Sequence, residues 1–141
     1  MSRKIEDLTP EMQSLYHLFK NKMDESGLSF IVTTTYRPQL KQDALYSQGR
    51  ATLDIVNMMR KKANLAPITK DQNFKVTWTR KSRHTDREAF DIAILKDGKI
   101  TWNPANYLEA VKIGKSVGLD AGGAWTKNKD YTHFEKAKEA K

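Results

Sequence analysis

Two of the histidines stand near carboxylates in the sequence, and together these residues could bind a divalent cation. His84 precedes Asp91 by seven positions, and Asp91 lies in the apolar run 89–95 that predicts a β-strand. His133 follows Asp130 by three positions. Zinc accepts imidazole nitrogen and carboxylate oxygen at roughly 2.0–2.2 Å, and a catalytic site keeps one position for water. Spacing alone leaves open that these residues have no joint role.

The remaining candidates for metal or nucleophilic chemistry are few. The third histidine, His17, falls within a predicted helix without a carboxylate cluster beside it, so we expect it to be structural or on the surface. The 141 residues include no cysteine, which excludes disulfides, thiolate metal sites and a cysteine nucleophile. Any metal must therefore be held by histidines and carboxylates.

The charge balance favours a polyanionic partner. Lys and Arg number 25 against 17 Asp and Glu, a formal net charge of +8. Nucleic acid, an anionic membrane surface and an anionic cell wall are all compatible with that balance. A basic nucleic-acid-binding protein is thus an alternative, although the basic residues are spread along the chain and no nucleic-acid module is recognisable.

Hydropathy predicts a soluble, globular protein. Hydrophobic residues make up 38% of the chain, and none of the apolar stretches approaches the length of a membrane span. The N-terminal residues lack the apolar region of a secretory signal. We therefore expect no membrane insertion and a cytoplasmic location in the producing cell.

Helices and strands alternate irregularly along the chain, which predicts an α+β fold with helices packed on a small, mostly antiparallel sheet. We expect a single domain over residues 1–141. The predicted helices begin at Thr9-Pro10, at Gln39, within 51–62 and at Asn103-Pro104. The predicted strands cover 30–36, 76–79, 89–95, 99–102 and 131–135.

One motif carries a family resemblance. The pattern Ser82-x-His84-x-x-x-x-Ala89-x-Asp91, followed by Asp130-x-x-His133, resembles the signature of the LAS zinc peptidases. This family includes D-alanyl-D-alanine carboxypeptidases and dipeptidases, together with phage and bacterial L-alanyl-D-glutamate endopeptidases.

Further segments agree with that resemblance and occur in the same order. Residues 35–38, Gln42 and residues 45–50 are similar to the segment that carries the family's active-site arginine, and residues 75–77 resemble the approach to the first metal ligand. The stretch from Gly122-Gly123-Ala124-Trp125 to Glu135 resembles the closing part of the endopeptidase branch. The match runs from about residue 28 to 135, and it implies a fold like that of the hedgehog and D-Ala-D-Ala peptidase domains.

The resemblance implies a role for each matching residue. His84, Asp91 and His133 match the ligands of Zn²⁺, which would activate water and polarise a peptide carbonyl. Asp130 matches the catalytic acidic residue that transfers protons, although a plain turn residue is the alternative. Arg37 matches the arginine that stabilises the developing oxyanion, with a solvated surface residue as its alternative.

Three more residues are expected to contact substrate or to position the ligands. Ser82 matches the motif serine, and it is not expected to be a nucleophile because no general base is left for it. Gln42 belongs to the arginine segment. Trp125 follows the glycine pair and would line the substrate groove or anchor the core. Glu135 would orient a ligand histidine or lie on the surface.

The sequence departs from the family pattern at one position of the first motif. Arg87 stands where the family has glycine. If that position needs a positive φ, arginine costs on the order of 1–2 kcal/mol or shifts the loop. Residues 51–73 also look longer than compact family members need, and we expect an insertion near the cleft.

The family resemblance implies a zinc-dependent hydrolase of peptidoglycan stem peptides. The closing stretch favours an L-alanyl-D-glutamate endopeptidase that acts as a phage-type endolysin, released from the cytoplasm to the wall. The alternatives are a D-alanyl-D-alanine carboxypeptidase of the same family and a member that binds the wall without cutting it. Peptidoglycan is the expected partner, nucleic acid is not, and we expect a monomer.

Overall fold

The computed structural model describes residues 2–127 and 129–137. Its helices are α1 (Pro10–Glu25), α2 (Gln39–Ser47), α3 (Leu53–Lys62) and α4 (Leu108–Ser116). Its strands are β1 (Ser29–Thr34), β2 (Ala89–Lys96), β3 (Lys99–Thr101), β4 (Leu119–Ala121) and β5 (His133–Lys136). No helix in this part of the chain is long and apolar enough to cross a membrane.

The strands form one antiparallel sheet in the order β1-β2-β5-β4, and β3 pairs with the far end of β2. This arrangement confirms the predicted α+β fold. The register places Asp91 of β2 directly opposite His133 of β5, and it pairs Thr34 of β1 with Asp91 on the other side. A bulge between Val32 and Thr34 changes the direction of the end of β1 next to Asp91 and His133.

Helix α1 covers one face of the sheet with aromatic contacts. Its start matches the prediction, because the Thr9 hydroxyl caps it by accepting a hydrogen bond from the Met12 N–H at 3.2 Å. The Phe19 ring centroid lies 4.8 Å from that of Phe134 and 5.5 Å from that of Phe90. Burying each of these rings contributes about 1.5–3 kcal/mol, so β2 and β5 are firmly fixed where they bear Asp91 and His133.

The prediction was wrong for residues 76–79, and it missed β4. Residues 74–81 form an irregular, largely exposed segment instead of a strand. Side chains of α2 bind its carbonyl groups, since Gln42 donates to Thr79 and Gln39 donates to Arg80. A helix within 51–73 was predicted correctly as α3, which packs on α2, and none of those residues lines the cleft described below.

Candidate metal centre and active site

The sheet brings His84, Asp91 and His133 together, as the sequence predicted. Each offers one ligand atom, and these three atoms all lie within 4.8 Å of one another. The Asp91 Oδ1 atom is 3.1 Å from His84 Nε2 and 2.9 Å from His133 Nδ1. Asp91 and His133 face each other across β2 and β5, and His84 enters from the turn before β2. Two imidazoles and one carboxylate form a donor set that suits zinc.

The backbone carbonyl group of Thr35 selects the tautomer of His84. His84 Nδ1 lies 2.8 Å from the Thr35 carbonyl oxygen, which can only accept, so Nδ1 carries the proton. The lone pair of the buried Nε2 atom then points into the centre, where it has no hydrogen-bond partner among the described residues. A buried nitrogen without a partner is costly, and a metal ion satisfies it. The residues therefore fit a metal.

The protonation of His133 is set by Glu135. The Nε2 atom of His133 lies 2.8 Å from Glu135 Oε1, and the other carboxylate oxygen of Glu135 lies 3.3 Å from Arg83 Nε. Nε2 therefore keeps its proton and donates it in a hydrogen bond to Glu135. The Nδ1 atom then faces Asp91 and would be available to a metal. Arg83 also pairs with Glu88 at 3.0 Å, which fixes the guanidinium beside Glu135.

The electrostatics of these side chains match this arrangement. Burial tends to lower the pKa of His133, but the hydrogen bonds to Asp91 and Glu135 outweigh burial and raise that pKa to about 10. Burial tends to raise the pKa of Asp91, but the His133 hydrogen bond and the nearby His84 hold it well below its usual value. Asp91 is thus ionised, and a bound metal ion would take the place of the His133 Nδ1 proton.

Replacing Glu135 by alanine should weaken metal binding about 10–100-fold, because His133 loses the acceptor that orients its ring. Competition with a chromophoric chelator measures this affinity. Glu88→Ala is the matched control, since Glu88 also pairs with Arg83 but makes no contact with a ligand histidine. Equal zinc affinity in the Glu135 variant and the unchanged protein would contradict this role.

The Arg37 guanidinium lies in the same cleft, beside the metal ligands. Its Nη1 donates to Gln42 Oε1 at 2.7 Å, and its backbone N–H donates to the His84 carbonyl oxygen at 3.2 Å. Burial lowers the pKa of Arg37, and the nearby Asp91 and Asp130 carboxylates partly restore it, so the group stays charged. The structure therefore places a fixed positive charge next to the metal centre.

Gln42 is fully buried and links Arg37 to the 74–81 segment. Its Nε2 donates to the Thr79 carbonyl oxygen at 2.6 Å and to Thr77 Oγ1 at 3.2 Å, while its Oε1 accepts from Arg37. All the polar atoms of this amide are therefore in use. The residue acts on Arg37 and on the cleft wall through hydrogen bonds.

A Gln42→Leu variant should unfold about 1–3 kcal/mol more easily, because buried hydrogen-bonding groups lose their partner. Its kcat should fall about tenfold, because Arg37 loses the contact that orients it. Chemical denaturation and peptide-hydrolysis kinetics measure the two effects. Gln39→Leu is the control: it removes two exposed hydrogen bonds from the same helix, to Asp43 and to the Arg80 carbonyl oxygen, and should leave kcat unchanged.

Asp130 lies at the end of the 125–130 loop, of which the structure describes residues 125–127, 129 and 130, and it lines the cleft. The Gly122 carbonyl oxygen accepts from both Trp125 N–H at 3.2 Å and Asp130 N–H at 3.0 Å, which closes the loop at its base. A Cβ atom on Gly122 would lie 2.3 Å from the Asp130 carbonyl oxygen, so only glycine allows this approach. Thr132 Oγ1 donates to Asp130 Oδ1 at 3.0 Å and orients the carboxylate.

Ser82 and Trp125 contact the metal ligands and also line the cleft. The Ser82 hydroxyl accepts a hydrogen bond from the His84 N–H at 3.1 Å and holds the turn that presents this ligand. The Trp125 ring centroid lies 5.5 Å from that of His133, and its Nε1 donates to Asp120 at 3.1 Å. Both residues are therefore placed to position ligands and to touch whatever enters the cleft.

Arg87 has a φ of +62°, so its backbone is in the left-handed region that the family's glycine adopts freely. The side chain makes contacts that offset the strain. Its guanidinium carbon lies 3.9 Å from the Tyr36 ring centroid, and Nη1 donates to the Asp7 carbonyl oxygen at 3.1 Å. The turn that carries His84 thus holds an arginine at a positive φ, and the contacts of its side chain stabilise it there.

Sequence reasoning missed two contributors to the site. The Thr35 carbonyl group has no sequence signal, because every residue has one and only the fold directs it to His84. Arg83 could have been suspected, since it stands inside the first motif and the chain places an acidic residue, Glu135, near the second ligand histidine.

The cleft around the metal ligands has a volume of about 790 Å³. It is lined by both histidines, by the predicted site residues other than Gln42, and by basic and apolar side chains of the 74–81 segment and the 125–130 loop. An α+β fold with a His–Asp–His centre in such a cleft defines the class as a metallopeptidase-like domain.

Comparison with known proteins gives the family. Residues 75–136 match the M15 peptidase family model described as D-alanyl-D-alanine carboxypeptidase. The chain is 31% identical over 141 residues to peptidoglycan L-alanyl-D-glutamate endopeptidase CwlK of Bacillus subtilis, an alignment that covers 92% of this chain and 73% of CwlK. The crystal structure of the Serratia marcescens L-Ala D-Glu endopeptidase ChiX is similar in fold, with a TM-score of 0.60 at 18% identity over 94% of this chain and 83% of ChiX. The chain therefore belongs to the LAS-type M15 peptidases, which confirms the resemblance seen in the sequence.

Proposed function

We propose that this protein is a zinc-dependent hydrolase of peptidoglycan stem peptides and that it cleaves the bond between L-alanine and D-glutamate. The observation that carries the proposal is the buried His84 Nε2 atom, which faces Asp91 and His133 and has no hydrogen-bond partner in the described part of the chain. The 31% identity to an L-alanyl-D-glutamate endopeptidase supports the choice of bond.

Three residues of the cleft would bind the metal. His84 Nε2, Asp91 Oδ1 and His133 Nδ1 would hold the zinc ion. When bound, zinc supplies a Lewis acid that lowers the pKa of water and polarises the scissile carbonyl.

Proton transfer and charge stabilisation fall to two further residues. Asp130 accepts a proton from the attacking water and returns it to the leaving nitrogen of D-glutamate. Arg37 donates to the carbonyl oxygen as negative charge develops there, and Gln42 holds the guanidinium in place.

A D-alanyl-D-alanine carboxypeptidase is the second candidate, favoured by the description of the matching family model. The two activities differ in what the cleft must admit. An endopeptidase needs room for substrate on both sides of the metal, whereas a carboxypeptidase binds a chain end. The products separate them: one exposes new L-alanine carboxyl and D-glutamate amino ends, and the other releases D-alanine.

A lytic role at the cell wall is the biological setting that we propose. The net charge of +8 would favour adsorption to an anionic wall. In this proposal a monomeric catalytic domain of residues 1–141 acts as a phage-type endolysin, made in the cytoplasm and released to the wall at lysis.

The experiment is lysis of outer-membrane-stripped bacterial cells, followed as a loss of turbidity. It is run with the protein as prepared, with a chelator, and with zinc added back. Mass spectrometry identifies the released fragments. Chelator-sensitive lysis that zinc restores and that yields new L-alanine ends is the expected result. Loss of terminal D-alanine alone would move the function to the carboxypeptidase. Salt-dependent DNA binding without any cleavage would favour the nucleic-acid-binding alternative.

A further inference from the structure

The cations that line the cleft fall into two groups. The Arg37 and Arg83 guanidinium groups are bound to the site itself, through Gln42 and through Glu135 with Glu88. Lys81, Lys127 and Lys129 also line the cleft, and they form no ion pair with any residue in the described ranges 2–127 and 129–137.

The carboxylates of the cleft do not neutralise these lysines. Asp91 and Glu135 are hydrogen-bonded to the ligand histidines, and Asp130 accepts from Thr132. The accessible side of the cleft therefore carries an excess of positive charge. The three ammonium groups are therefore available to an anion that enters the cleft.

The lysines project from two segments that the fold holds in place. Lys81 ends the 74–81 segment, where its backbone N–H and carbonyl oxygen both bond to Thr79 Oγ1, at 3.1 and 3.0 Å. Lys127 and Lys129 lie in the 125–130 loop, whose two ends bond to the Gly122 carbonyl oxygen. Different parts of the chain thus bring cations to one cleft, and their backbones are anchored before any ligand arrives.

We propose that Lys81, Lys127 and Lys129 recognise the free carboxylate of the D-glutamyl residue and so make the enzyme selective for acidic over amidated stem peptides. The inference rests on the proposed function. A glutamyl residue has two carboxyl groups; one continues the peptide, and the other is a carboxylate or, when modified, an amide. That group lies only a few atoms from the scissile bond. An ammonium donates a charge-assisted hydrogen bond to a carboxylate, and this bond is stronger than the one it donates to an amide.

The test measures binding and turnover separately. Calorimetry gives the affinity of a stem peptide that begins with D-glutamate for metal-free and zinc-loaded protein. The peptide is used in two forms, with the carboxyl group that does not continue the chain either free or converted to the amide. Peptides that contain the L-alanyl-D-glutamyl bond are prepared in the same two forms, acid and amide, and kcat/KM is measured for each. The variant combines Lys81→Gln, Lys127→Gln and Lys129→Gln, which are exposed substitutions that should not disturb folding. Lys99→Gln, in β3 at the far end of β2 from Asp91, is the matched control.

In the unchanged protein and in the control, the acid should bind about tenfold more tightly than the amide and should be cleaved with a correspondingly higher kcat/KM. In the triple variant this preference should fall below twofold, while the amide is cleaved as before. Added salt should weaken binding of the acid far more than binding of the amide.

Three results would overturn the inference. Equal binding of acid and amide to the unchanged protein would do so. A preference for the acid over the amide that survives in the triple variant and appears only with zinc would also overturn it, because the carboxylate would then be a metal ligand. A loss of binding to intact walls without a change in acid preference would assign the lysines to wall polymers instead. Failure to cleave any stem peptide would count against the proposed function, while the binding data would still decide this inference.

Discussion

An Asp130→Ala variant is expected to retain zinc and to lose turnover by about 10²–10⁴-fold. The Asp130 carboxylate lines the cleft but is not one of the three ligand atoms, so its removal leaves the metal site intact. The reaction then lacks the group that takes the proton from water and returns it to the leaving amine. Metal analysis and stem-peptide hydrolysis measure the two properties on the same sample.

Two further variants show whether the loss is specific. His133→Ala should lose both zinc and activity, because it removes a ligand. Asp71→Ala removes an exposed carboxylate outside the cleft and should behave like the unchanged protein. If Asp130→Ala cleaves walls at the native rate, the proton transfer belongs to another group.

Replacing Arg37 by alanine is expected to lower kcat by about 10²–10³-fold, with a much smaller change in KM. A donor aimed at the developing oxyanion stabilises the transition state more than the bound substrate, so its loss appears in kcat. Arg37 is suited to that task because its charge is partly buried and Gln42 fixes its direction before substrate binds. Steady-state kinetics on a defined stem peptide separate the two parameters.

An Arg37→Lys variant serves as the comparison for Arg37→Ala. Lysine keeps the charge but cannot reproduce the planar guanidinium contact with Gln42, so we expect partial activity. Both variants should keep their zinc. An increase in KM with an unchanged kcat would show that Arg37 binds the ground state of the substrate, and it would contradict the oxyanion role.

The elements that carry strong local signals were predictable from the sequence. The cap and proline at Thr9-Pro10 fix the start of α1, and the β-branched and aromatic run around Asp91 gives β2. Residues 76–79 have the same β-branched character, but they pair with no strand of the described residues. Gln39 and Gln42 of α2 take the place of a neighbouring strand, and side-chain contacts of that kind depend on the tertiary structure.

The family resemblance predicted that His84, Asp91 and His133 converge as candidate metal ligands, whereas their spacing alone left this open. Asp91 and His133 are cross-strand partners, so the motif residues converge once β2 pairs with β5. The groups that orient the ligands were harder to find. Thr35 acts through its backbone, and the role of Glu135 depends on the direction of its side chain towards His133.

Arg87 shows how a departure from the family pattern can be accommodated. The sequence predicted a cost of about 1–2 kcal/mol if the position needs a positive φ, and the structure has that conformation. The contacts with Tyr36 and Asp7 that offset the strain come from residues far away in the sequence. No local rule could have anticipated them.

Anomalous diffraction from crystals of the zinc-loaded protein tests the central claim most directly. Data collected on either side of the zinc absorption edge locate the ion without reference to activity. The account predicts one peak at roughly 2.0–2.2 Å from His84 Nε2, Asp91 Oδ1 and His133 Nδ1. A peak at other residues, or none at this site in fully loaded protein, would contradict the assignment of the metal centre and the mechanism built on it.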